Sequence, residues 1–121
     1  MSCSDGKPRK SLLPRHLPPI KIDIVDEQRY DTAGDYFETP TGWRFAISRQ
    51  RSIDDEFLIL VHELVEWYLT QKHGIPEPDI TSFDITAMKR GSRDPGSEPD
   101  APYRDEHSDA IDIEDRVSHQ L

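Results

Sequence analysis

The sequence predicts a small α+β domain: an antiparallel sheet of about three strands packed on a long central helix, with a further helix at the C-terminus. Three observations carry this. Ile20, Ile22 and Ile24 alternate with Lys21 and Asp23, and Trp43, Phe45 and Ile47 alternate with Arg44, Ala46 and Ser48. Such period-two alternation marks half-buried strands. The stretch from Ser52 to Gly74 has helix signals at both ends, and Ala110, Ile113, Val117 and Leu121 recur at helical spacing.

Taken in order, residues 1–18 hold Ser, Lys, Arg and three prolines and read as a flexible arm before a single domain over 19–121. "IKIDIVD" is the first strand, and "TAGDY" supplies a Gly-Asp turn. "DYFETPTGWRFAISRQ" reads as two strands around Thr39-Pro40-Thr41-Gly42. Ser52 is the N-cap of the main helix, with Asp54, Asp55 and Glu56 in a first turn where the helix dipole favours negative charge. Lys72 and His73 close that helix, where His73 would serve the dipole, before Gly74 and Pro76 stop it. Thr81-Ser82-Phe83-Asp84 suggests one short helical turn. Residues 88–102 are rich in Gly, Pro, Ser and charge without periodicity and predict a mobile loop.

Composition narrows the function classes. A net charge of −9 on 121 residues argues against general nucleic-acid binding, which needs clustered Lys and Arg. The one basic cluster, Lys7 to Arg15, lies in the proline-broken arm. Only 34% of residues are hydrophobic, so the core is small and would gain from a metal ion or a partner. The single cysteine, Cys3, allows no intrachain disulfide and fits a reducing compartment. The longest apolar run, Phe57 to Val61, is far too short to span a membrane, and no apolar signal-peptide core is present. A cytoplasmic protein is expected.

The main helix carries the chemistry. His62-Glu63-Leu64-Val65-Glu66 differs from the H-E-x-x-H helix of zinc peptidases at its last letter. Residues four apart share a helix face, so His62 and Glu66 can grip one ion, and a carboxylate can replace imidazole as ligand. Glu63 leans toward the same ion and is placed to take a proton from a water there. On the C-terminal helix, His107 falls on the apolar stripe and faces inward. Packing the two helices together would close a site of His62, Glu66 and His107. Two imidazoles and one carboxylate suit a divalent metal, zinc ahead of iron or manganese. The same contact without metal is a His107–Glu66 hydrogen bond in a satisfied core. A carboxylate-bridged pair of metals, using Glu63, Glu66, Glu106, His62 and His107, is a further variant.

The strings "HELVEWYLTQKHGI", "ITSFD" and "PDAPYRDEHSDA" together resemble a family of small proteins encoded by phages and prophages. The matching positions are His62, Glu63, Glu66, His73, Gly74, Phe83, Asp84, Ala101, Pro102, Tyr103, Glu106, His107 and Ala110, within Ile20 to Val117. The resemblance implies a phage-encoded protein acting in a bacterial host cytoplasm, and supplies no reaction. A more distant similarity to zincin-type metallopeptidases rests on His62 and Glu63 alone.

Two functions follow. In the first, His62, Glu66 and His107 bind the metal and Glu63 is general base in a hydrolase of metallopeptidase type. The Trp43–Ile47 strand would then offer an edge to a peptide substrate. In the second, a non-enzymatic phage accessory protein binds a host or virion protein, and the His/Glu cluster is structural.

Overall fold

The computed structural model describes residues 9–121; the readings of Cys3 and of Lys7 lie outside that range. Three strands, β1 (Ile20–Val25), β2 (Gly34–Thr39) and β3 (Gly42–Ser48), precede three helices, α1 (Ile53–Lys72), α2 (Glu77–Lys89) and α3 (Arg104–Ser118). A 3-10 turn, Pro95–Ser97, lies between the last two. The α+β class is as the sequence predicts.

The sheet order is β1-β3-β2. β2 and β3 form the expected hairpin, with Thr39 opposite Gly42, whose φ of 142° suits glycine. β1, however, runs parallel to β3, with Ile20 beside Trp43 and Ile24 beside Ile47. The sheet is therefore mixed rather than antiparallel throughout. Alternation reports which face a residue takes and is silent on strand direction. β3 holds the centre and is the most deeply buried strand: Phe45 and Ile47 are completely buried. Flanked on both sides, β3 has no free edge, so the peptide-binding edge expected at Trp43–Ile47 is absent.

One face of the sheet packs on α1 through an aromatic cluster. The Trp67 ring meets Phe45 at 5.7 Å and Trp43 at 5.8 Å, both edge-on, and Tyr36 lies 5.8 Å from Phe45. Burying such side chains stabilises by roughly 1.5–3 kcal/mol each. Ser52 caps α1 by accepting from the Asp55 amide at 3.1 Å. His73 is its C-cap, and Gly74 follows at φ 77°, the left-handed conformation that ends helices. Arg9 to Leu12, read from sequence as part of an arm, run beside this end of α1. The Leu12 amide donates to the Gln71 carbonyl at 2.8 Å.

α2 is longer than the single turn expected at Thr81–Asp84. Its β-branched residues give little intrinsic helicity, but Ile80, Asp84 and Ala87 are buried along one side, and that packing sustains 13 residues of helix. α3 docks lengthwise on α1, with Ala110 fully buried so that the two backbones come close. Ile113, expected in the core stripe, is 40% exposed.

Candidate metal centre

The face of α1 that turns inward is its polar one. Glu63, Glu66, Thr70 and Gln71 are buried with Trp67, while Phe57 and Tyr68 stay nearly half exposed. Buried carboxylates need partners, and the neighbouring elements supply them for Glu66. Its Oε2 lies 3.2 Å from His62 Nε2 and 2.7 Å from His107 Nδ1, while Oε1 accepts from the Tyr36 hydroxyl at 3.0 Å. The two histidine nitrogens are 3.3 Å apart. His62, Glu66 and His107 thus form a group that could hold a metal ion.

Each histidine has a carboxylate behind it. His62 Nδ1 is 2.9 Å from Glu114 Oε1, and His107 Nε2 is 3.1 Å from Asp94 Oδ1. In the tautomers where these carboxylates accept the outer ring protons, each imidazole turns a bare lone pair toward Glu66. Two lone pairs and an anion within such distances repel one another unless a proton or a metal ion stands among them. Burial lowers the pKa of both histidines, but hydrogen bonding and attraction to Glu66 outweigh it and leave both raised. Burial raises Glu66, yet hydrogen bonds from His107 and His62 hold its pKa below the ordinary value.

Glu63 differs from its neighbour. It is 8% exposed and lines a cleft of about 650 Å³ together with His62, Glu66 and His107. Burial, then repulsion from Glu66, Asp35, Asp84 and Glu114, raises its pKa well above the usual carboxylate range. The β2 backbone presses against it: a Cβ on Gly34 would lie 2.6 Å from Glu63 Cγ. Across the cleft, Asp84 accepts from the hydroxyls of Tyr30 and Tyr103, and burial lifts its pKa to about 6.

The loop expected over 88–102 reaches this centre. Asp94 contacts His107, and Gly96 lies so close that a Cβ there would meet the ring at 2.5 Å. Glu106, one of the ligands in the two-metal variant, points elsewhere and meets His73 Nδ1 at 2.6 Å. His73 is therefore a hydrogen-bond partner of α3 besides closing α1. Tyr36, Asp94 and Glu114 were not singled out from sequence. Glu114 lies two helical turns beyond His107 on the same face, a spacing that could have found it; Asp94 in an aperiodic loop gives no such signal.

No protein-family model, curated protein or solved structure matches this chain.

Proposed function

We propose that the protein binds one divalent metal ion, zinc in preference to iron or manganese, through His62, Glu66 and His107, and that it is a hydrolase of minimal zincin-like type. One observation carries the reading. Ligand bonds of about 2.0–2.1 Å at tetrahedral angles place donor atoms about 3.3 Å apart, and the three donor atoms are separated by 3.3, 3.2 and 2.7 Å. The carboxylates behind both histidines support it, since orienting partners of that kind are the usual companions of metal-bound imidazoles.

A bound cation would supply Lewis acidity to a water in the cleft. Glu63 lines the same cleft and would act as general base toward that water; its pKa is raised by burial and then by repulsion from Glu66, which a bound cation would offset. The sequence resemblance supports a phage-encoded protein in a bacterial cytoplasm. No helix among the described residues is long and apolar enough to cross a membrane.

A second reading has an observation of its own. The 2.7 Å contact between His107 and Glu66 is also a good charge-assisted hydrogen bond. On that reading the cluster is structural and the protein is a non-enzymatic accessory that binds a host or virion protein.

Elemental analysis of protein purified without a histidine tag separates the two, beside His62→Ala and His107→Ala. About one equivalent of zinc or iron, lost in both variants, is the expected result for a three-ligand site. Absence of metal, with none taken up on titration, would refute the proposal. Hydrolysis screens then use Glu63→Gln, which should keep the metal and lose activity.

A further inference from the structure

β1 is an edge strand whose outer side pairs with nothing among the described residues. Ile20, Ile22 and Ile24 stand on the same face as Trp43, Phe45 and Ile47, yet α1 does not cover them fully: Ile22 is 46% and Ile24 39% exposed. Phe57 lies about two and a half turns from Glu66, hence on the opposite flank of α1. Ile59 and Glu63 lie against Gly34 of β2, so the Phe57 flank of α1 is the one turned away from β2. Phe57 is 47% exposed, and Ile53, one turn earlier, is 80% exposed. Exposed apolar side chains, Ile22 and Ile24, therefore stand on an unpaired strand edge.

We propose that two copies of the chain join through β1, antiparallel about a two-fold axis at Ile22, to make one continuous six-stranded sheet. The strand's own pattern selects this occupant. With Ile22 opposite its counterpart, Ile20 faces Ile24 of the second copy, and Lys21 faces Asp23, twice over. Moving the axis one residue toward the N-terminus sets Lys21 against Lys21; moving it one residue the other way sets Asp23 against Asp23. Axes between residues set isoleucines against charges. Only one register thus matches apolar to apolar and cation to anion, and opposite charges across a strand pair stabilise while like charges destabilise.

A lysine on an edge strand normally discourages pairing with a foreign strand. Here Lys21 lies 3.9 Å from Asp23 of its own strand, and a second copy, antiparallel about Ile22, brings a further acid opposite it. Asp23 also accepts from Arg44 at 2.9 Å, which ties it to β3. A six-residue strand pair alone falls short of the roughly 1,200 Å² of a stable interface. The exposed Phe57 and Ile53 are apolar groups of α1 free to extend it.

Sedimentation equilibrium of the full chain tests the pairing independently of any metal. The wild-type chain is expected to be dimeric. Lys21→Asp and Asp23→Lys should each weaken the dimer by about tenfold or more, because both symmetric pairs turn repulsive. An equimolar mixture of the two variants should recover it as a heterodimer, since each then meets its opposite. Circular dichroism reports folding. Should Asp23→Lys fail to fold, Ile22→Lys, which leaves the Arg44–Asp23 pair intact, must give a monomer. A monomeric wild type, dimers unaffected by Lys21→Asp, or a mixture that stays monomeric would each overturn the proposal.

Discussion

The Tyr36 hydroxyl donates to Glu66 Oε1 at 3.0 Å, so the aromatic core and the candidate metal centre share one buried hydrogen bond. Tyr36 is otherwise a core residue, stacked beside Phe45 and Trp43. It fixes the carboxylate from the side away from the histidines. Tyr36→Phe keeps the packing and leaves Glu66 short of a donor. We expect a loss of about 1–3 kcal/mol in denaturant unfolding and roughly tenfold weaker zinc binding. Unchanged affinity would mean that Glu66 needs no such anchor.

Glu114 and Glu106 provide a matched pair on α3. Each accepts from a histidine of α1, but only Glu114 stands behind a proposed ligand, at 2.9 Å from His62. Glu114→Gln should weaken zinc binding on the order of tenfold, read by competition with a chelator. Glu106→Gln, which loosens only His73, should leave that affinity in place. Equal effects would show that the substitutions act through helix docking instead.

Asp84 makes stability depend on pH. Burial raises its pKa from 3.8 to about 6, against the hydrogen bonds from Tyr103 and Tyr30 that lower it. A carboxyl with a raised folded pKa holds its proton more tightly when folded. Its contribution is complete below the unfolded value and is lost as pH rises through the folded one. Stability from this group should fall between about pH 4 and 6, by on the order of 1–3 kcal/mol. Urea unfolding across that range is expected to show a shallower decline in Asp84→Asn. An identical slope in the variant would assign the effect to other groups.

Gly34 tests the close approach of β2 to α1. A Cβ there would sit 2.6 Å from Glu63 Cγ and 2.8 Å from Ile59 Cγ2, so Gly34→Ala must push strand and helix apart. Overpacking of this kind costs about 1–3 kcal/mol. A thermal melt should fall accordingly, and a variant as stable as wild type would show that Glu63 has room to swing aside.

Much of the fold was legible from local chemistry. The strands announce themselves through alternation at Ile20–Ile24 and Trp43–Ile47, and α1 through Ser52 and Gly74. The His62, Glu66 and His107 group followed from helical spacing on two helices. The parallel β1–β3 pairing was not legible, because alternation carries no direction. α2 was underestimated because its helicity comes from burial of Ile80, Asp84 and Ala87 rather than propensity. The orientation of α1 ran against its composition: a polar stripe usually meets water, and here Glu63 and Glu66 turn inward toward Gly34, Tyr36 and α3. Asp94 was hidden because a loop has no period to read.

The strand order also sets an assembly sequence. β3, the central strand, is the last of the three in the chain. β2 and β3 meet through a tight hairpin, which closes fast, whereas β1 must wait for β3 before it has any neighbour at all. Within a single chain its hydrogen bonds should therefore form last, so in the monomeric Ile22→Lys variant β1 amides are expected to exchange with deuterium ahead of those in β3. The strand that comes first in the chain is then the last to join its sheet.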